Sequence, residues 1–482
     1  MDKEMGLKIN RRTYISTLVL LLGIMLLAGI LTQILPQGNF LYEMVDGREV
    51  IVPGSYQVVE VQEKLPIWRW FTAPVEVLGT AQSVTAIMIM LFILLIGGSF
   101  LVLERSGILS FLMFSVIRRY GDKKYKLLAV VSFVCMLLGS TMGLFEETVT
   151  LVPITVALAL VLGWDSLVGI GMSILSVGFG FAAGTFNPFT LGVTQKLAEL
   201  PVFSGLLFRI VFFVVIYGLL LGFLYRYAKK IEANPQSSGV YKQDLASRAK
   251  YQSLLAQVDA EDPRKRRAVW IFSLSLAVVF LYVLVAFFVP LLQEFSMPIM
   301  AVFFMVGALV SGRVAGYRRG LLRTFLQGMG SIAPGVLLIL LAMSVTHIMR
   351  MGNIIDTILQ FFYTQIAGLG PMGGAIALFA LVLVLEFFIS GSASKAFLLI
   401  PIVIPLAELI GITRQTAVQA FILGDGFANM LFPTNVVLLI TLGIVGIPYG
   451  RWFRWTWKIQ SVLLVISVIT VIIAVAIGYG PF

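Results

Sequence analysis

The chain has 482 residues, of which 59% are hydrophobic and only 12% charged, with a mean hydropathy of +0.98. A water-soluble fold of this size cannot hide that much apolar surface, so lipid must cover it, and a soluble enzyme or binding module is excluded. The formal net charge of +11 comes from basic residues that fall between apolar runs, not along a face interleaved with aromatics, which fits positive-inside topology and argues against nucleic-acid binding.

The first apolar run, 14–34, follows Lys8, Arg11 and Arg12. It is too long for a signal peptide and lacks a small-x-small cleavage site, so it is expected to stay as a first span with a cytoplasmic N-terminus. The loop 36–80 carries Arg48, Lys64 and Arg69 against six acidic residues, as an outer loop should. A second run, 82–103, has about the 20 apolar residues needed to cross a hydrocarbon core of about 30 Å. An amphipathic stretch, 106–117, is expected along the membrane surface.

Residues 127–162 are apolar on both sides of the polar, turn-prone run Gly143-Leu144-Phe145-Glu146-Glu147-Thr148. The arms are short for full spans, so the segment reads as a re-entrant hairpin. The next run, 166–199, is long enough to cross but is interrupted at Asn187-Pro188. Proline removes an amide donor and clashes with the preceding turn, which predicts a broken helix. A span at 203–227 completes a first half, 1–228; Arg209 lies near its end, where a long side chain can snorkel to the interface.

A polar linker, 229–267, ends in Pro263-Arg264-Lys265-Arg266-Arg267 and reads as a solvated cytoplasmic connector. The run 268–289 is a linking span, and 290–482 forms a second half. That half has runs at 297–316 and 325–349 and a surface helix over 353–367. A second hairpin, 372–410, turns at Gly391-Ser392-Ala393-Ser394-Lys395. A second broken helix, 415–446, is interrupted at Pro433-Thr434-Asn435, and a last span covers 455–479. Cys135 and His347 are the only residues of their kinds, which excludes an intramolecular disulfide and a His/Cys metal site. Both read as structural.

The two halves repeat. Residues 143–179 lie over 391–427 without a gap, with Gly143/Gly391, Pro153/Pro401, Gly163/Gly411, Gly178/Gly426 and Phe179/Phe427 identical. The extra span 268–289 makes the second copy start from the opposite face, so the repeats are expected to be inverted. The fold class that follows is an all-α polytopic membrane protein with two inverted-topology repeats. In that arrangement substrate and coupling ions bind where the repeats meet.

Hairpin tips and helix breaks expose backbone amides and carbonyls, which is tolerable at membrane depth only inside protein or beside a wet cavity. The side chains offered there are the candidate substrate ligands: Glu146, Glu147, Thr148, Asn187, Thr190, Ser392, Ser394, Lys395, Asn429, Thr434 and Asn435. They combine carboxylates, an ammonium, hydroxyls and amides, as an amphoteric solute requires. Ionisable groups deep in a bilayer are costly and mark function. A structural ion pair locking the tips together is the competing account of Glu146, Glu147 and Lys395. Glu386 and Asp425, inside apolar runs, are coupling-ion candidates, with plain interhelical hydrogen bonding as the alternative. No Walker A sequence occurs, and Ser392-Ala393-Ser394-Lys395 lacks the companion motifs of a penicillin-binding site, so no enzyme is expected.

The runs GLFEETVTLVPITVALALVLGWDSLVGIGMSILSVGFGFAAGTFNPFT and GSASKAFLLIPIVIPLAELIGITRQ resemble the YfcC-like branch of the C4-dicarboxylate anaerobic carriers, within the wider ion transporter superfamily. The resemblance implies a homodimer in the inner membrane, working as a secondary transporter by an elevator motion, with both tips and both breaks lining the site. It implies no cofactor and leaves sodium and protons open as coupling ions. Two glutamates at one tip favour an amino acid with a cationic side chain, as in arginine/ornithine exchange. A dicarboxylate or other organic-anion carrier is the alternative of the same class, and a passive channel the alternative of another.

Overall fold

The computed structural model describes residues 11–480, apart from 46–47, 53, 60–63, 81–82, 257, 260–261, 287–295 and 390. Lys3 and Lys8, the loop acids Asp46, Glu60 and Glu63, the end of the 268–289 run and the side chain of Ser394 lie outside that set. Seven helical stretches among the described residues are long and apolar enough to cross a membrane. The protein is a multi-pass membrane protein built almost wholly from helices.

Helix α1, Arg11–Ile34, leads into the loop. There the structure departs from an all-α reading. Strands β1, Gly38–Asn39, and β4, Gln57–Val58, pair antiparallel, as do β2, Tyr42–Val45, and β3, Arg48–Ile51. Asp46-Gly47, between runs that contain Tyr42, Val45, Val50 and Ile51, is a hairpin signal in the sequence, and outside the bilayer strands need no closed barrel. Helix α2, Trp68–Glu76, follows, then α3, Ser83–Arg105, and α4, Ile108–Tyr120. His347 meets Glu76 at 3.3 Å. Cys135 is buried and unbridged.

The interruption at 143–151 separates α5, Lys124–Met142, from α6, Val152–Val161. Helix α7, Ser166–Ala183, contains a wide π-type turn at Gly171–Leu175. It stops at Gly184, whose φ of +46° suits glycine. A π-turn at Pro188–Gly192 and α8, Val193–Leu197, complete the broken helix. Helix α9, Leu206–Ala233, closes this part.

The linker is not a bare connector. It forms α10, Tyr241–Ala256, before α11, Pro263–Ala286. Asp244 is buried and accepts from the Ser166 amide at 2.8 Å, and Arg248 donates to the Trp164 carbonyl at 2.6 Å. Lys250 pairs with Glu104 at the end of α3. One short helix thus ties the α6–α7 turn to α3. Burial pushes the Asp244 carboxyl up from 3.8 to about 7, against the opposing pull of the Ser166 amide. An upward shift means the neutral acid favours the docked state. That contribution is complete below the unfolded value of 3.8 and disappears as pH rises through about 7. Hydrogen exchange across 241–256, corrected for intrinsic rates, is therefore expected to be slower at pH 6 than at pH 8, and Asp244→Asn should remove the difference.

Helix α12 is Ser296–Val314. The run 325–349 lies within one apolar helical stretch, Leu321–Met351, long enough to cross a membrane; Pro334, which cannot donate into the preceding turn, divides it into α13, Leu321–Ile332, and α14, Pro334–Met351. Helix α15 spans Ile355–Ile366. The interruption at Gly391 separates α16, Pro371–Glu386, from α17, Ser392–Leu409. The second broken helix is α18, Arg414–Ala428, and α19, Val436–Val445; α20, Tyr449–Ala476, is the last helix.

The sequence repeat has a matching backbone. Gly143 and Gly391 both take positive φ at the tips, and Gly163 and Gly411 both do so at the next turn. Asp165 caps α7 by accepting from Val168, and Thr413 caps α18 by accepting from Thr416. Such caps contribute about 1 kcal/mol each. Helices α7 and α18 pack against each other, Gly178 against Met430 and Gly426 against Ala182. Residue numbers rise on one helix as they fall on the other, so these equivalent helices run antiparallel.

Candidate functional site

The interruptions collect around the α7–α18 crossing. Tip and break of each half meet first. Gly143 lies against Asn187, and Phe387 stacks edge-on against Phe432 with centroids 5.3 Å apart. The halves then interlock: α17 packs on α8 and the π-turn before it, and α19 packs on α6.

Each break settles its orphan backbone groups locally. At the first, Asn187 accepts from the Thr190 amide at 3.2 Å, while its side-chain amide donates to the Thr190 hydroxyl at 3.3 Å. Ser140 on α5 shares a hydroxyl contact with Thr185 at 2.9 Å, and its carbonyl accepts from the Phe186 amide at 3.1 Å. At the second, Asn435 caps α19 through Leu438 and donates to Asn429 at 2.8 Å. Asn429 donates to the Asp425 carbonyl at 3.0 Å. The Met430 carbonyl accepts from Trp452 at 2.9 Å and Gln460 at 3.1 Å, both on α20.

The charged core of the site is compact. Lys395, on the first turn of α17, is fully buried and pairs with Glu386 at the end of α16 and with Asp425 on α18, the latter at 2.5 Å. Both carboxylates are buried as well. Glu146, at the first tip, stands near enough to Asp425 for their charges to repel, and Glu147 stands beside Glu146. The Oε2 atom of Glu147 is sealed from solvent with no hydrogen-bond partner among the described residues, as is Oγ1 of Thr434. Two carboxylates therefore hold the ammonium, and Glu146 adds a third on the far side of Asp425.

The predicted ligands thus divide. Lys395 pairs with the coupling-ion candidates Glu386 and Asp425, Glu146 stands by Asp425 and Glu147 by Glu146, while Asn187 and Thr190, and Asn429 and Asn435, form bonded pairs at the breaks. Thr148 bonds back to the Leu144 carbonyl at 2.6 Å, and Ser392 starts α17. No group of three or more His, Cys, Asp and Glu residues suited to a metal ion occurs among the described residues.

Sequence reasoning missed Ser140, Thr185, Trp452 and Gln460, whose work is to satisfy the broken backbone. It also missed Gln419 on α18, fully buried with neither side-chain polar atom bonded among the described residues. A glutamine within an apolar run was the available signal. Arg209 is corrected outright. It does not snorkel but is fully buried, donating to the Ser204 carbonyl and to Tyr479 at 3.3 Å. The turn before α9, with Phe203 at φ +62° and Gly205 at +72°, folds back to bring Ser204 to it.

A polar hollow lies beside the loop strands. It measures about 360 Å³ and is lined by Asn39, Tyr42, Arg350, Asn353, Asp356 and Leu398. Asp356 there accepts from the Phe40 amide at 3.0 Å and from the Tyr42 hydroxyl at 2.8 Å.

Comparison with known proteins shows the family. A family model described as "C4-dicarboxylate anaerobic carrier" matches residues 15–476. One relative, from Escherichia coli (strain K12), is 27% identical over 96% of each chain and carries the name "Putative basic amino acid antiporter YfcC". Another, from Haemophilus influenzae (strain ATCC 51907 / DSM 11121 / KW20 / Rd), is 28% identical over 90% of this chain and 83% of its own. Among solved structures, the YdaH transporter of Alcanivorax borkumensis is 18% identical, with a TM-score of 0.43, over 96% of this chain and 99% of that one. MtrF of Neisseria gonorrhoeae is 17% identical, also at 0.43, over 96% and 95%.

Proposed function

The chain belongs to the C4-dicarboxylate anaerobic carrier family, and from that premise we propose that it exchanges amino acids with cationic side chains, of the arginine/ornithine kind, across the cytoplasmic membrane. The observation that carries this reading is the charge balance of the site. Lys395 is already taken up by Glu386 and Asp425, Glu146 stands by Asp425 and Glu147 by Glu146, and a dianion entering beside them meets repulsion. A guanidinium or ammonium meets attraction, with Glu146 and Glu147 the carboxylates not held by Lys395. The substrate carboxylate falls to the N-terminal turn of α17 at Ser392, where unpaired amides and the helix dipole favour an anion.

In this reading the hairpins are re-entrant, the N-terminus is cytoplasmic, and two copies form a homodimer in which the tips and broken helices move as an elevator. The antiparallel packing of α7 on α18 supports inversion of the repeats, because an inverted pair crosses its equivalent helices in that way. The family's name keeps dicarboxylate uptake as the rival.

Proteoliposomes loaded with arginine test this. Labelled arginine is expected to enter by counterflow, and Glu146→Gln should cut the rate about 10–100-fold, the worth of a charge-assisted hydrogen bond. Succinate uptake with no arginine exchange would establish the rival. Flux without counterflow would mean a channel.

A further inference from the structure

Lys395 occupies an unusual position for a lysine. Its whole side chain is buried and its ammonium sits between Glu386 and Asp425, which are themselves buried. A buried ammonium persists only when paired, and two carboxylates from two helices are more than a lysine needs. They are the donor set that a small monovalent cation would take: oxygen ligands from the end of α16 and the last turn of α18, beside a helix break.

The repeat shows what is particular to this half. The register that places Gly143 over Gly391 places Glu147 over Lys395, Val177 over Asp425 and Leu138 over Glu386. The first half thus presents a carboxylate among apolar residues, where the second presents two carboxylates filled by an amine. Glu147 Oε2 has no partner among the described residues, whereas Glu386 and Asp425 are held by an amine that cannot leave the chain.

We infer that Lys395 is a tethered counter-cation. It fills the cation position of the second half, so that no mobile monovalent cation is required there, and the exchangeable positive charge of the transport cycle is confined to the side of Glu146 and Glu147. The inference does not rest on the substrate assignment, because the site and its filling are the same whatever solute is carried.

Thermal unfolding of the purified full-length protein tests it in chloride salts of sodium, n-propylammonium and choline at equal ionic strength. The wild-type midpoint is expected to be the same in sodium and in choline, which is too large for the site. Lys395→Ala removes the three carbons and nitrogen that n-propylammonium supplies. Its midpoint is expected to be lower and to rise saturably with sodium or n-propylammonium but not with choline. Adding Asp425→Asn should abolish the rise. Equal midpoints for Lys395→Ala in all three salts would overturn the inference. So would a saturable sodium shift in the wild type that Glu386→Gln removes. Should Lys395→Ala give no folded protein, Lys395→Gln, which keeps most of the bulk without the charge, takes its place in the same salts, and the wild-type comparison stands by itself.

Discussion

Lys395→Met is expected to cost about 3–5 kcal/mol of stability, the range for removing one partner from a buried ion pair. The loss comes less from the missing attraction than from what remains: Glu386 and Asp425, both buried, are left facing each other without their cation. Methionine nearly matches lysine in volume, so a cavity contributes little. The triple variant Glu386→Gln/Lys395→Met/Asp425→Asn should regain most of the loss, since a neutral buried set is often as stable as the ion cluster it replaces. Thermal midpoints in detergent measure both. If Lys395→Met and the triple variant melt together well below the wild type, packing and not charge explains the lysine. Arginine counterflow is expected to be lost in both, because restoring the fold does not restore the field around Glu146.

Much of this site could be read before any coordinates, and the reason is physical. Within apolar runs, glycine, proline and polar residues are rare enough that each marks a break, and Gly143, Asn187-Pro188, Gly391 and Pro433 all mark one. The repeat was legible because αL glycines and helix caps tolerate few substitutes. What could not be read was which charges meet. Glu386 and Lys395 are separated by a tip whose path no spacing rule fixes, and Asp425 lies on another helix. Arg209 was misread because its place near the end of an apolar run says nothing about the turn that folds back over it. The loop strands were legible in Asp46-Gly47 between short runs with Tyr42, Val45, Val50 and Ile51, but they are far shorter than the roughly 20 apolar residues that mark a span. The docking of α10 was hidden because Asp244 and Arg248 look like any charges of a solvated linker.

Gly426→Val is expected to cost about 1–3 kcal/mol at least, the usual range for overpacking, and to suppress transport further. A Cβ at Gly426 would lie 2.2 Å from the Ala182 Cα and 2.4 Å from its amide nitrogen. Backbone cannot rotate away as a side chain would, so α7 and α18 must separate at the crossing where the two halves meet. Separation there also moves Asp425, the residue before Gly426, away from Lys395, coupling the packing defect to the charged cluster. Gly222→Ala is the control. That glycine lies within α9 with no atom within 4 Å of its would-be Cβ, so alanine should raise the midpoint by the helix-propensity gain of about 1 kcal/mol. A Gly426→Val protein that melts and transports like wild type would mean the helices part freely at this crossing, and the contact between α7 and α18 would no longer explain how the halves hold one site.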